Sequence, residues 1–201
     1  MTCKIAIIYH SKYNHTKSLA DSILLGINSI EGVEGKLFTS KEASNSEVLK
    51  DLTDNYIGFI FGTPTYFGSP SAGFKEFIES TSHIFTTREW ANKLASGFTI
   101  SASRAGSKEN TLIDLTIFAA QQGLTWVPLN LPPGHGYSTT SEDNLNASGY
   151  FLGIGAQGNA DQGPEGIRKS DLKSGEYLGK RFANFAKLYN PIFEQLKSLE
   201  L

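Results

Sequence analysis

Short runs in which nearly every residue is apolar alternate along this chain with longer segments whose apolar positions recur every three or four residues. Ile5-Ala6-Ile7-Ile8-Tyr9 is the first such run, the pattern of a parallel strand buried on both faces. The chain turns polar over Ser11–Thr16. Leu19, Ile23 and Ile27 then follow at four-residue spacing, which predicts a helix over about 16–28. Glu31-Gly32 breaks that pattern, Val33–Thr39 reads as a strand, and a short helix is expected near Ser46–Leu52. Tyr56–Gly62 is a second apolar strand, ending in Thr63–Pro70, and a helix begins near Ser71 with Phe74, Phe77 and Ile78 on one face. Residues 83–93 read as a loop carrying Phe85 and Trp90. Leu94–Ser101 is a third central strand, followed by the small polar loop Ser101–Ser107, a helix from about Lys108 to Gln122 and a strand over Leu124–Leu129.

Beyond Pro132-Pro133-Gly134 the periodicity is lost until Tyr150–Ile154, which is again strand-like. This reads either as one edge strand interrupted by an insertion or as two short strands. The last helix is expected from Ser170 to Tyr189, with Leu178, Phe182, Phe185 and Leu188 as its buried stripe and Asn190-Pro191 as its stop. Alternating strands and helices predict a doubly wound α/β fold, five parallel strands with helices on both faces.

At 201 residues the chain is long enough for one well-filled core, and its 18 basic and 20 acidic residues leave a formal charge of −2. The basic residues are scattered, which argues against nucleic acid as a partner. The single cysteine, Cys3, excludes a disulfide framework or a Cys-based metal cluster and reads as a buried, inert thiol. His10, His15, His83 and His135 stand at no metal-ligand spacing, so no metal is expected. No apolar run approaches the roughly 20 residues of a membrane span, and no signal-peptide pattern opens the chain. The expectation is a cytoplasmic protein without membrane insertion. Gly153–Gly158 spells G-x-G-x-x-G, but Asn159–Gly166 adds glycines and a proline where a helix would have to open. It reads as a Gly-rich loop near the rim of the site.

In a doubly wound sheet every βα loop lies at the carboxyl edge of the strands, where ligands bind. Three loops without acidic residues meet there: 10–16, 63–70 and 101–107. The first, Ser11-Lys12-Tyr13-Asn14-His15-Thr16, joins a strand to a helix N-terminus and suits an anion through backbone N–H groups, hydroxyls and the helix dipole. The alternative is an ordinary turn with Asn14 or Thr16 as helix cap. The second places Pro64, Thr65, Tyr66, Phe67 and Gly68 so that aromatics form a flat wall, unless Phe67 packs into the core. The third, with Ser101, Ala102, Ser103, Arg104 and Gly106, offers N–H donors to ring carbonyls. Arg104 either adds positive charge near a reduced ring or is solvated. A phosphate at one end and a planar polar ring at the other describe flavin mononucleotide (FMN).

At these residues the chain resembles the WrbA family of flavodoxin-like NAD(P)H:quinone oxidoreductases. Ser11–Thr16 resembles the family's S-x-Y-G-H loop and Gly62–Gly68 its G-T-P-T-R-F-G, while Lys93–Ser96 and Val127-Pro128 match in place. The resemblance covers most of residues 4–189. It implies a flavodoxin-like domain over 1–190 with strand order 2-1-3-4-5, an insertion in or after the last strand, and a tail over 191–201. It further implies FMN bound non-covalently, NAD(P)H as hydride donor to flavin N5, and a quinone-type small-molecule acceptor. No side chain is then catalytic in its own right. The resemblance puts the nicotinamide on Tyr13 and makes Phe85, Trp90 and Gln122 substrate-side residues, Phe85 on a neighbouring subunit of a homo-oligomer, dimer or tetramer. The chain departs from the pattern at Asn14, Tyr66, Arg104-Ala105 and Gln121-Gln122, the last standing where the family has a histidine pair.

The rival reading is an electron-carrying flavodoxin that oxidises no NAD(P)H itself. Such carriers are strongly acidic, and a charge of −2 does not fit that habit. A phospho-acceptor regulator would need an acidic pair where His10-Ser11 stands and an Asp where Gly62-Thr63 stands.

Overall fold

The computed structural model describes residues 2–197. Parallel strands β1 (Cys3–Tyr9), β2 (Val33–Thr39), β3 (Gly58–Tyr66) and β5 (Leu94–Ser101) lie in the order β2-β1-β3-β5, in register Ile5↔Gly58 and Gly58↔Leu94. β1, β3 and β5 are buried almost throughout, which is why their sequences read as continuous apolar runs. Helices α1 (His15–Asn28) and α7 (Lys169–Lys197) cover one face. On the other lie α2 (Ser40–Ala43), α3 (Ser46–Asn55), α4 (Ala72–Ser80), α5 (Ser82–Thr87) and α6 (Lys108–Gln121).

Among the described residues the sheet has seven strands where five were expected. The last position of the sheet is filled twice: β6 (Thr125–Trp126) pairs with Leu94-Ala95 at the start of β5, and β7 (Ile154–Gln157) pairs with Phe98–Ser101 at its end. Residues 127–153 form an excursion between the two halves. Both sequence readings describe this arrangement, an edge strand interrupted by an insertion and so formed as two short strands, and the second piece lies later than Tyr150–Ile154. The seventh strand, β4 (Ser69–Pro70), folds back antiparallel on Thr65-Tyr66.

Beneath α3–α6 the core is aromatic. Phe61 lies 5.2 Å from Phe118 and 6.3 Å from Phe74, ring centre to ring centre, and Trp90 lies 4.4 Å from Phe59. Trp90 is fully buried and its Nε1 donates to Thr53 Oγ1 at 2.9 Å. Lys93 is buried as well. Its ammonium donates to Tyr56 O at 2.7 Å and also to Thr53 O, which caps the end of α3, and burial pushes its pKa down to about 8.

The opposite face works by close approach. α1 and α7 cross where Gly26 and Gly179 meet the partner helix. A Cβ on Gly26 would stand 2.0 Å from Glu176 O, and one on Gly179 2.1 Å from Ile23 O. The buried stripe of α7 therefore combines Leu178 and Phe182 with Gly175, Gly179, Ala183 and Ala186. Phe185 and Leu188, expected in that stripe, are exposed. Pro191 does not stop the helix: α7 runs on to Lys197 because Phe193 is buried beside Tyr189, 6.4 Å between rings. The expected tail thus begins as helix, and 198–201 lies outside the described residues. The Cys3 thiol is buried and pushed up to about 11, an unreactive state. Among the described residues no helix is long and apolar enough to cross a membrane, and no three His, Cys, Asp or Glu are grouped to hold a metal.

Candidate functional site

A cleft of about 750 Å³ opens at the carboxyl edge of the sheet, within the range of small-molecule sites. All three polar loops contribute: Ser11, Lys12, Tyr13, His15 and Thr16; Pro64 to Gly68; and Ser101 to Ser103 with Gly106. Of the cofactor-binding residues expected in these loops, Asn14 and Arg104 are the two outside its lining.

The first loop leaves its donors free. Asn14 stands at the N-cap of α1 with φ 64°, and its side chain makes no capping bond. Among the described residues, no backbone N–H from 11 to 16 has a partner within the chain; the first to be used is that of Lys17, on Ser11 Oγ at 3.3 Å. The first turn of α1 holds no acidic residue, and Thr16 is buried and lines the cleft. Six free N–H groups at a helix N-terminus form an anion cradle. His15 Nε2 lies 3.0 Å from Gln162 O and 2.9 Å from Gly163 O. Both neighbours are carbonyls, so Nε2 carries the proton and donates, latching the 158–163 segment over the loop.

The second loop is a two-residue hairpin turn. Phe67 (φ 51°) and Gly68 (φ 81°) both occupy the left-handed region, as a type I′ turn requires. A phenylalanine there is strained, and its ring is 110% exposed, so it does not pack into the core. The base of the hairpin is rigid by contrast. Thr65 Oγ1 lies 2.7 Å from Thr99 Oγ1 and 2.8 Å from Thr111 Oγ1, all three buried, and Thr99 Oγ1 donates to Thr63 O at 2.7 Å. His10 Nδ1, 2.7 Å from Ser71 Oγ, braces the other side.

The third loop carries six more backbone N–H groups, 102 to 107, without a partner among the described residues. Arg104 does not turn its charge toward the cleft. Its guanidinium meets Glu142 at 2.9 Å, and Glu142, held below the usual carboxylate range first by Arg104, also bonds Arg168 at 3.0 Å. This ion pair fastens the 127–153 excursion to the loop. Lysines 12 and 108 supply the positive charge instead, Lys12 at the lining and Lys108 beneath it.

Sequence reasoning missed Ile100, Ser107, Asn110, Ala160 and Gln162 in the lining, whereas Gly158 stands at the rim where the glycine-rich run was expected. Within that run Ile154–Gln157 is strand β7, and Gly158 follows it. Trp90 and Gln122, expected on the substrate side, lie outside the lining of this cleft: the indole fills the core, and buried Gln122 donates to Thr81 Oγ1 at 2.9 Å. Phe85, on α5, is half-exposed and does not line the cleft of its own chain.

Residues 19–130 match the family described as NADPH-dependent FMN reductase. The chain is 33% identical to flavodoxin FldP of Pseudomonas aeruginosa over 92% of its own length and 97% of that protein's. It is 27% identical to an NAD(P)H dehydrogenase (quinone) of Syntrophobacter fumaroxidans, covering 92% and 97%. Among solved structures it superposes on a flavodoxin, WrbA-like protein from Agrobacterium tumefaciens with a TM-score of 0.70 and 30% identity, covering 93% of this chain and 99% of the other.

Proposed function

This chain belongs to the NADPH-dependent FMN reductase family, and from that premise we propose that it is an FMN-dependent oxidoreductase that takes a hydride from NAD(P)H and delivers two electrons to a quinone-type acceptor. The observation that carries this reading is two arrays of six unpartnered N–H groups, 11–16 and 102–107, on loops that line one cleft with an aromatic hairpin between them. That arrangement fits FMN at both ends. Ser11 to Thr16 hold the phosphate. Pro64 to Gly68 wall one side of the ring. Ser101 to Gly106 meet its polar edge, through the backbone at Arg104. Flavin, when bound, supplies the two-electron chemistry, as cofactors do in such enzymes.

Tyr13 is 63% exposed at the cleft, where its ring would stack on the nicotinamide. Tyr66, with its hydroxyl pushed up first by burial and next by Tyr13, shapes the same entrance. Replacing Tyr13 by Ala removes one ring contact, worth about 1 kcal/mol. The KM for NAD(P)H should rise severalfold with FMN still bound. Loss of FMN without a kinetic change would reassign the residue. The family resemblance extends to a homo-oligomer, dimer or tetramer, in which Phe85 of a neighbour reaches the cleft; light scattering on the purified protein tests the assembly.

A carrier function has one specific observation in its favour, the 33% identity to a protein named as a flavodoxin. One experiment separates the two readings. The protein is loaded with FMN and titrated anaerobically with NADH and NADPH, with no other protein present. Bleaching of the flavin band supports the enzyme; a flavin that stays oxidised leaves the carrier.

A further inference from the structure

The third loop is held from below, and one side chain does most of the holding. Lys108, the first residue of α6, is completely buried. Its ammonium donates to Ser103 O at 2.7 Å, Arg104 O at 2.8 Å and Ser101 Oγ at 3.2 Å. On either side Gln157 Nε2 donates to Ala102 O and Tyr150 Oη to Ala105 O, both at 3.0 Å. Four consecutive carbonyls, 102 to 105, are therefore bonded by side chains while the N–H groups of the same peptides stay free. A peptide whose carbonyl is tied to one side presents its N–H to the other.

We infer that Lys108 is the positioning residue of the ring-binding loop: by gripping the carbonyls of Ser103 and Arg104 it fixes the backbone that joins the cleft-lining Ala102 and Ser103 to Gly106 and thereby sets the loop's affinity for an isoalloxazine. The inference rests on the FMN reading and deepens it. An ammonium has three protons and here meets three acceptors, so a neutral amine leaves one acceptor unfilled. Burial pushes the Lys108 pKa down to about 8, against the opposing charge of Asp171 on α7. The other groups around it are the Tyr150 ring, 5.8 Å from Nζ, Arg104, which faces Glu142, and its own neighbour Glu109. Raising the pH through about 8 removes the third proton and loosens the loop. Stability follows the opposite sign. The free lysine titrates at 10.5, so between about 8 and 10.5 the unfolded chain binds more protons and this group's contribution to folding rises with pH. Weaker flavin binding in that window is therefore not unfolding driven by Lys108.

The test titrates apoprotein with FMN, and separately with riboflavin, following flavin fluorescence from pH 6 to 9, with circular dichroism at each point. Wild type should lose affinity severalfold between pH 7 and 9. Lys108→Met should bind about tenfold more weakly at pH 7 with no pH dependence, and Lys108→Arg, which keeps the charge, should bind at pH 9 as it does at pH 7. FMN and riboflavin should lose by the same factor, because the loop meets the ring. A loss confined to FMN, or a Lys108→Met variant that matches wild type in affinity and pH profile, overturns the role. Should that variant fail to fold, a flat wild-type pH profile overturns it equally. A folded wild type that binds neither flavin at pH 7 overturns the cofactor reading as well.

Discussion

Thr16→Glu should cost the protein its flavin. Thr16 is buried and lines the cleft, the last of the six residues with open N–H groups that lead into α1. Two unit charges about 5 Å apart interact by roughly 3 kcal/mol at an effective dielectric of about 20, and a phosphate monoester carries about −1.5 to −2. A glutamate facing it should therefore weaken FMN binding by about a thousandfold or more, at about 1.4 kcal/mol per tenfold. The fold should survive, since a carboxylate in the first turn of a helix is favourable to the helix itself. The measurement is the flavin absorbance of the purified variant beside its melting curve. A yellow Thr16→Glu protein would place the phosphate elsewhere.

The second large effect concerns stability alone. Gly179→Ala adds one methyl group where α7 crosses α1, and its Cβ would stand 2.1 Å from Ile23 O. The obstructing atom is helix backbone, so the helices themselves must separate along a face that also holds Gly26 against Glu176 O. Overpacking of this kind costs about 3 kcal/mol, or roughly 6–12 °C in Tm for a domain of this size. Gly136→Ala, at a position with nothing within 4 Å of the added carbon, is the control and should melt as wild type does. A Gly179→Ala melting point within a degree of wild type would mean that the two helices slide apart freely.

What sequence could and could not disclose follows from the same contacts. β1, β3 and β5 were legible because burial on both faces leaves no polar alternation to confuse them. The three loops were legible because small polar residues cluster there without a single acid. The crossing of α1 and α7 was not. Its face is built from glycine and alanine, and a search for large apolar residues picks Phe185 and Leu188, which face solvent. Trp90 looked like a loop aromatic because nothing local reveals that Thr53 receives its N–H. Lys108 reads as an ordinary charged residue at a helix start; the Tyr150 ring, 5.8 Å from its Nζ, and the charge of Asp171 reach it from more than forty positions away. Arg104 was drawn from the cleft by Glu142, again a distant partner. Register and packing across long sequence separations are the common thread of these misses.

Because β6 and β7 each bond to β5 independently, covalent continuity between them carries little of the architecture. The excursion reaches solvent at Gly136-Tyr137, with Tyr137 78% exposed. A protease nick there should leave two fragments in one native particle, since α1 and β5 on the first hold α7 and β7 on the second. Denaturing electrophoresis would resolve two bands where gel filtration shows a single peak. New chain ends could be opened at the same point, which makes this protein a candidate for fragment complementation.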